Sequence, residues 1–256
     1  MRSISDLLAR AVLLQKLIFT VKGVPVNNSS IADVILGSVW FKDMKGEMLD
    51  GLIDAAVIKP IKNGTYLYAK NEEADGLYAV LEGDFVVGVC SENGKRAVYA
   101  IIEPGGWLGE LSLFDSQPRP SDAIARGNAQ VLFISYQKIQ ALLDQNPQYY
   151  KYFIAILCEH YRSATRLVEA NMMRSVPERL ALRLLELSHH QGIPIDEEAP
   201  IRFKVSQEDL SYMAGSTRQR INQELKIWEK KGWIELSYGY VTVVDRKSLE
   251  GLLTLI

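Results

Sequence analysis

Cysteine, histidine and long apolar runs are all scarce in this chain of 256 residues. The two cysteines, Cys90 and Cys158, lie far apart and form no CxxC spacing, which excludes a disulfide framework or a cysteine-rich metal site and fits a reducing cytoplasm. The sequence also lacks a Ser/His/Asp or Cys/His set, a phosphate-loop signature and a histidine–cysteine cluster at ligand spacing. We therefore predict neither an enzyme nor a metal-binding protein.

The opening sequence MRSISDLLARAVLLQKLIFTVKG is only partly apolar. Asp6, Arg10, Gln15 and Lys16 interrupt it, so that no run reaches the roughly 20 apolar residues that span a bilayer. This stretch predicts an amphipathic helix rather than a signal peptide, and we expect no membrane partner.

The chain has no excess of positive charge, because it contains 29 Lys and Arg and 31 Asp and Glu, which gives a net charge of −2. The composition is that of a globular protein, and the length predicts two domains. Such a chain does not bind nucleic acid indiscriminately, so any DNA affinity must come from a local patch. Residues 201–247 carry nine basic and six acidic side chains, which is a modest local excess of positive charge.

The segment VSQEDLSYMAGSTRQRINQELKIWEKKGWIELSYGYVTVVD has the pattern of a helix-turn-helix followed by a wing. Ser206 and Asp209 predict a capped start for the first helix. Gly215 permits a sharp turn, and Thr217 predicts the cap of a second helix that runs to about Lys231. This motif points to double-stranded DNA as the partner, with the second helix in the major groove.

The second helix is predicted to be amphipathic. Ile221, Leu225 and Trp228 recur at spacings of four and three and mark its buried face. On the polar face, arginine suits guanine, and glutamine or asparagine suits adenine. The run from Trp233 to Val244 alternates around a glycine turn and predicts a two-stranded wing. The predicted DNA contacts are Ser216, Thr217, Arg218, Gln219, Arg220, Asn222 and Gln223.

Between about Trp40 and Ser135 the pattern changes to short apolar runs separated by glycine, among them TYLYA, GLYAVLEG, DFVVGVCSENG and KRAVYAIIEPGG. These runs predict the strands of a compact antiparallel β domain whose tight turns contain glycine. We expect the turns at Gly76, Gly83, Gly88, Gly94, Gly105 and Gly106.

One turn of this domain, GGWLGELSLF at 105–114, sets amides beside a carboxylate, and Arg119 follows ten residues after Gly109. Backbone amides and an arginine fork can hold a phosphate, and a carboxylate can hold a sugar hydroxyl. Glu110 and Arg119 are candidates for these roles. The alternative is a structural salt bridge between these two side chains.

A long helical pattern without internal glycine or proline extends from about Pro147 to Met173. Its heptad seam favours dimerisation, and packing on the chain's own β domain is the alternative. Ser175-Val176-Pro177-Glu178 then predicts a helix break between domains. The predicted seam consists of Phe153, Leu157, His160, Ala164, Leu167 and Asn171.

Four stretches together resemble the cAMP receptor protein/fumarate-nitrate regulator (Crp/Fnr) superfamily of bacterial transcription regulators: GLYAVLEGDFVVGV, GELSLF, PERLALRLLEL and GSTRQRINQELKIWEKKGWI. The resemblance implies a cytoplasmic homodimer that binds a pseudo-palindromic DNA site and works with RNA polymerase. It also implies that GEL and a following arginine grip the ribose and phosphate of cAMP or another cyclic nucleotide, with a base contact from the long helix. The implied effector residues are Gly109, Glu110, Leu111, Arg119, Ser121 and Thr165.

Two departures from the family pattern affect these implications. Pro120 replaces a hydroxyl residue, which removes a hydroxyl and a backbone N–H, and Asp122 would repel a phosphate. A cyclic nucleotide, another small ligand and no ligand at all therefore stay open. Gln219 and Gln223 replace the second and last members of the family's Arg-Glu-x-x-x-Arg pattern, which predicts a half-site more tolerant of A·T pairs.

The predicted fold class is α+β. It comprises a β-roll of the cyclic-nucleotide-binding jelly-roll type, a long dimerisation helix and a carboxyl-terminal winged helix-turn-helix. The expected divisions are an amino-terminal extension at 1–35, the β-roll at 36–145, the helix at 146–174 and the DNA-binding domain at 175–256.

Overall fold

The structure is a computed structural model that describes residues 28–92, 96–188 and 200–253. The predicted amphipathic helix at the amino terminus and the turn at Gly94 lie outside the described residues. The chain divides into two compact units. In the described residues, the first unit comprises 28–87 and 101–161, and the second comprises 88–92, 96–100, 162–188 and 200–253.

A six-stranded sheet lies mainly in the first unit, and residues 88–90 and 96–100 of its strands are assigned to the second. Its strands pair in the order β1-β6-β3-β4, with β2 on β6 and β5 on β3. Antiparallel register places Ile58 opposite Leu132 and Tyr78 opposite Leu108. The elements are α1 Asn28–Gly37, α2 Glu47–Ala55, β1 Val57–Ile61, β2 Tyr66–Tyr68, β3 Gly76–Cys90, β4 Arg96–Ile102, β5 Trp107–Leu108, α3 Ser112–Asp115, β6 Asp122–Ser135, α4 Tyr136–Gln145 and a 3₁₀ turn Pro147–Tyr149.

Strand β3 is 15 residues long and joins two of the predicted strands into one. The turns expected at Gly83 and Gly88 are therefore wrong, because both glycines lie inside this strand. Gly83 has a φ of +77°, and a Cβ there would lie 2.7 Å from the carbonyl oxygen of Asn128. Glycine here permits close approach of a neighbouring strand rather than a chain reversal.

Helices share the core of the first unit with the sheet. Ile31 and Ile35 of α1 belong to the same buried cluster as the strands, so this core begins before the expected boundary at residue 35. Phe41 packs against Trp107 and Phe153, with ring centroids 4.9 Å and 5.4 Å apart. Burying each such aromatic side chain contributes about 2–3 kcal/mol.

The second unit contains the helix-turn-helix and a three-stranded sheet in the order β7-β9-β8. The prediction of a two-stranded wing missed β7, which pairs antiparallel with β9 and places Phe203 opposite Val241. Two helices separate β7 from the hairpin in sequence, so no local turn signal indicates this pairing. The elements are α6 Val176–Ser188, β7 Ile201–Lys204, α7 Gln207–Ala214, α8 Arg218–Lys230, β8 Ile234–Ser237, β9 Tyr240–Val243 and α9 Arg246–Gly251.

The long helix α5, Tyr150–Met173, begins in the first unit and ends in the second. It ends just before the predicted break, where Glu178 accepts a hydrogen bond from the backbone N–H of Ser175 at 2.8 Å. Across the described ranges, none of the helices combines the length and apolar character that crossing a bilayer requires.

Candidate effector pocket and nucleic-acid interface

Arg119 is buried in the first unit, with 1% of its surface exposed. Its Nη1 donates to the carbonyl oxygen of Gly109 at 3.0 Å and to the hydroxyl of Tyr136 at 2.9 Å. Its Nη2 donates to Oδ1 of Asp75 at 2.9 Å and to the carbonyl oxygen of Gly76 at 2.8 Å. The terminal nitrogens thus use all four of their N–H groups within the chain. Nε is buried and has no partner among the described residues.

Three tyrosine rings surround the same guanidinium. The Cζ atom of Arg119 lies 4.4 Å from the ring centroid of Tyr68, 5.5 Å from that of Tyr136 and 5.7 Å from that of Tyr78. Burial raises the pKa of all three hydroxyls, that of Tyr136 to about 12. The hydroxyls are therefore neutral at physiological pH, and the π-faces of the rings stabilise the buried cation.

Gly109 lets the chain approach Arg119 closely. Its φ is +102°, a conformation that glycine adopts far more readily than other residues. A Cβ at this position would lie 2.8 Å from Nη1 of Arg119 and 2.8 Å from the carbonyl oxygen of Gly76. The glycine of the GEL sequence thus has a packing role against the arginine.

Glu110 does not form the alternative salt bridge with Arg119 that the sequence left open. Its Oε1 instead accepts from Nδ1 of His160 on α5 at 2.6 Å. Burial acts to raise the pKa of the Glu110 carboxyl, but the hydrogen bond and charge of His160 outweigh burial and lower it. Burial acts to lower the pKa of His160, but the hydrogen bond and charge of Glu110, with the charge of Glu159, raise it. The hydrogen bond links the turn after β5 to α5, and both pKa shifts favour the charged forms of the two side chains.

The hydrogen-bonded groups around Arg119 and Glu110 do not include the other predicted effector residues. Leu111 is half-exposed, and Ser121 is buried. Thr165 lies on an exposed face of α5, where its hydroxyl donates to the carbonyl oxygen of Arg162 at 2.8 Å. The structure thus brings together Gly109 and Arg119, and it pairs Glu110 with a residue that was predicted for the dimer seam.

These contacts do not fit a phosphate held by an arginine fork. Such a fork directs two parallel N–H donors at ligand oxygens, whereas Arg119 directs both terminal nitrogens at acceptors of its own chain. Pro120 has no N–H to add. The carboxylate of Asp122 lies close by in sequence and accepts from the backbone N–H of Lys70 at 2.8 Å.

The caps predicted for the two helices of the helix-turn-helix are confirmed. The Ser206 hydroxyl accepts from the N–H of Asp209 at 2.9 Å, and the Asp209 carboxylate accepts from the N–H of Ser206, which completes a capping box. Gly215 adopts a φ of +59° between the helices. The Thr217 hydroxyl accepts from the N–H of Arg220 at 3.2 Å. These local bonds define where α7 ends and α8 begins.

Two arginines of α6 hold the turn between α7 and α8, and no local sequence signal indicates them. Arg179 donates through Nε to the carbonyl oxygen of Ala214 at 2.8 Å, and Arg183 donates through Nε to that of Met213 at 2.9 Å. Carbonyl groups at the end of a helix lack partners within it. The arginines supply those partners and connect the turn to α6.

The buried and the exposed faces of α8 are those that the sequence predicts. Ile221, Leu225 and Trp228 are buried, and the polar side chains near the start of the helix face solvent. Thr217, Arg218, Gln219, Arg220 and Gln223 are exposed, and Ser216 and Asn222 are partly buried.

Arg220 differs from the other predicted DNA contacts because it has an acidic partner in the same helix. Its Nη2 lies 2.5 Å from Oε1 of Glu224, whose side chain is nearly buried. A buried carboxylate needs such a partner, so Arg220 stabilises the helix in addition to facing solvent.

The predicted dimer seam on α5 fails at Phe153 and His160. Phe153 is 0% exposed in the core of its own unit and is not available to a second chain, and His160 is bonded to Glu110. The exposed apolar side chains lie one position later along the helix. These are Ile154 at 49%, Tyr161 at 71%, Val168 at 59% and Met172 at 78% exposure, and Met173 at the end of the helix is also exposed.

A β-sheet unit, a long helix and a winged helix-turn-helix together define a class of DNA-binding transcription regulators. Comparison with known families agrees with this. Residues 58–146 match the cyclic nucleotide-binding domain, and residues 178–252 match the Crp-like helix-turn-helix domain. Together the two matches cover more than half of the chain.

Similar proteins point to the same family. The chain is 24% identical over 186 residues to the CRP-like cAMP-activated global transcriptional regulator of Mycobacterium tuberculosis, covering 73% of this chain and 83% of that protein. It is 26% identical over 174 residues to the cAMP-activated global transcriptional regulator CRP of Pasteurella multocida, covering 68% and 82%.

Solved structures show the fold. FixK2 from Bradyrhizobium japonicum superposes with a TM-score of 0.67 at 18% identity, covering 77% of this chain and 96% of that one. A CRP/FNR-family transcriptional regulator from Thermus thermophilus has a TM-score of 0.57 at 26% identity, covering 77% and 97%. The chain belongs to the Crp/Fnr superfamily of transcription regulators. The predicted family and fold class are thereby confirmed.

Replacing Arg119 by Met tests its structural role. The substitution keeps much of the buried volume but removes the guanidinium as a donor to two carbonyl groups, a hydroxyl and a carboxylate. Tyr136 still donates to the carbonyl oxygen of Gly109, and Tyr78 still donates to Asp75. We expect the free energy of unfolding to fall by about 3 kcal/mol in urea titrations followed by circular dichroism. Arg96→Met, at an exposed position, is the control and should change it by less than about 0.5 kcal/mol. Equally small losses in both variants would contradict the role.

Proposed function

We propose that the protein is a homodimeric, sequence-specific DNA-binding regulator whose β-roll does not hold a cyclic nucleotide through the family's arginine–glutamate grip. The engagement of Arg119 by four acceptors of its own chain carries this proposal. The bond between Glu110 and His160 supports it, because the second grip residue also has a partner already. The chain thus keeps the cyclic nucleotide-binding domain but uses its two grip residues differently.

Control by cAMP is the second candidate, supported by the domain match and by relatives named as cAMP-activated. To bind a phosphate, Arg119 would have to exchange hydrogen bonds that contribute about 1 kcal/mol each. Glu110 would have to leave a partner that lies 2.6 Å away. Both exchanges oppose nucleotide binding, so the geometry favours an effector of other chemistry or regulation without one.

The exposed stripe on α5 supports a dimer. Ile154, Tyr161 and Val168 are spaced by seven residues. Cys158, Thr165 and Met172 each follow one of them by four residues, at the alternate positions of a heptad. An apolar heptad stripe that faces solvent is typical of a helix that packs on an identical helix. We assign the dimer seam to these six residues.

A two-fold dimer explains how α8 reads DNA. Two copies of the helix would contact half-sites about 34 Å apart, one turn of the duplex. Arg218 supplies a guanine contact, and Gln219 and Gln223 suit adenine better than the glutamate and arginine of the family pattern. Contact with RNA polymerase belongs to the same proposal by family membership, and we assign no surface to it.

Calorimetry with cAMP tests the effector part of the proposal. We expect no saturable heat at micromolar cAMP, because Arg119 and Glu110 already have partners within the chain. The Glu110→Gln variant, which would weaken a contact of this side chain with a ribose hydroxyl, serves as the control. Micromolar binding to the wild-type protein that this variant loses would overturn this part of the proposal.

Cross-linking through the native Cys158 tests the dimer seam. A parallel two-fold seam brings each of its residues close to its own copy, so a short bismaleimide should join two chains through Cys158. We expect a covalent dimer on a denaturing gel for wild type and for Cys90→Ser, and none for Cys158→Ser. Cys90 is also exposed, so dimers that depend on it rather than on Cys158 would contradict the seam.

Selection of binding sites from random DNA tests the recognition helix. We expect half-sites that contain a guanine at the base pair contacted by Arg218. At the base pairs contacted by Gln219 and Gln223, we expect A·T pairs to be tolerated. The double variant Gln219→Glu/Gln223→Arg restores the family pattern and should shift selection toward the family half-site TGTGA. Full preference of the wild-type protein for TGTGA would reject the predicted change in specificity.

A further inference from the structure

One hydrogen bond joins the first helix of the helix-turn-helix to the base-reading face of the second. Gln207 is the first residue of α7, and Asn222 lies on the first turns of α8. Nε2 of Gln207 donates to Oδ1 of Asn222 at 3.3 Å, and both side chains are partly buried. In the described part of the chain, the amide nitrogen of Asn222 makes no hydrogen bond.

This bond matters because a carboxamide has two different ends. Its oxygen accepts and its nitrogen donates, and a freely turning asparagine can present either end. The paired contact to adenine uses both ends, with the oxygen accepting from N6 and the nitrogen donating to N7. In the structure, Nε2 of Gln207 occupies the oxygen of Asn222, and the nitrogen of Asn222 is the end that remains for DNA.

We infer that Gln207 is a positioning residue that makes Asn222 a hydrogen-bond donor to DNA. This inference rests on the proposed sequence-specific DNA binding and deepens it. A donor selects base edges that present an acceptor, which are O6 and N7 of guanine, O4 of thymine and, with only one of the two adenine bonds, N7 of adenine. The adenine contact expected from the residue type alone is thereby weakened, and Gln207 sets the specificity at this base pair without touching the base.

The test compares full-length wild-type protein with two Gln207 variants in the same random-DNA selection. In Gln207→Glu the carboxylate can only accept, so Asn222 should turn around and present its oxygen, favouring adenine or cytosine. Gln207→Met has nearly the same shape but no hydrogen bond, so selection at this base pair should become weak. We expect each change to be about fivefold, the effect of one hydrogen bond, at one base pair of each half-site.

Three controls separate positioning from other roles. The preference set by Arg218 should be the same in all variants. In an Asn222→Ala background, the Gln207 substitutions should no longer change base preference, because the residue through which they act is absent. The start of α7 already contains Glu208 and Asp209, so a glutamate at 207 is compatible with the helix, and thermal unfolding verifies that each variant folds.

The outcomes are distinct. A change of preference confined to one base pair, lost in the Asn222→Ala background, supports the inference. The Gln207 variants could instead lose affinity for all sequences by the same factor, with a smaller dependence of that affinity on salt. In that case Gln207 is a phosphate contact and the inference is wrong. If the wild-type protein selects no sequence at all, the proposed DNA-binding function itself fails.

Discussion

The buried guanidinium of Arg119 organises the pocket region of the first unit. It bonds the start of β3 at Asp75 and Gly76, the turn at Gly109 and the start of α4 at Tyr136. A charge this deeply buried is stable only when hydrogen bonds and opposite charge compensate for its lost hydration. The tyrosine rings and the positive φ of Gly109 both serve that requirement.

This constraint has a consequence for function. In the family resemblance, the arginine after GEL is the residue that meets the phosphate of an effector. Here the same arginine is a structural ion, and its acidic companion Glu110 is bonded to His160 on the long helix. The presence of the domain and its motif therefore does not by itself imply a bound cyclic nucleotide, because the motif residues have partners within the chain.

The helix-turn-helix depends both on bonds between residues three apart and on bonds from the preceding helix α6. Caps at Ser206 and Thr217 begin its two helices, and Arg179 and Arg183 hold the carbonyl groups at the turn. With the helices fixed in this way, the few side chains at the start of α8 are the ones that we propose set the base preference. Among these, Arg220 and Asn222 each have a partner within the second unit, Glu224 and Gln207.

The residues that sequence reasoning identified and those it missed differ in a systematic way. The capping box and the Thr217 cap involve residues three apart, so their chemistry is visible in the local sequence. The partners of Arg119 lie up to 44 residues away, and strand β7 is separated from β9 by two helices. Neither pairing leaves a local signal, so neither was predicted.

The long helix α5 likewise has one feature that the sequence shows and one that it does not. Its heptad pattern is visible in the sequence, but apolar residues occupy two adjacent stripes, one beginning at Phe153 and the other at Ile154. Periodicity alone cannot decide which stripe is buried in its own unit, because both repeat every seven residues. The sequence by itself determined the family, the fold class, the helix caps and the two faces of α8, since these depend on local pattern. Only the tertiary structure decided the stripe left exposed on α5 and the partners of Arg119, Glu110 and Asn222, because those depend on packing between segments distant in the chain.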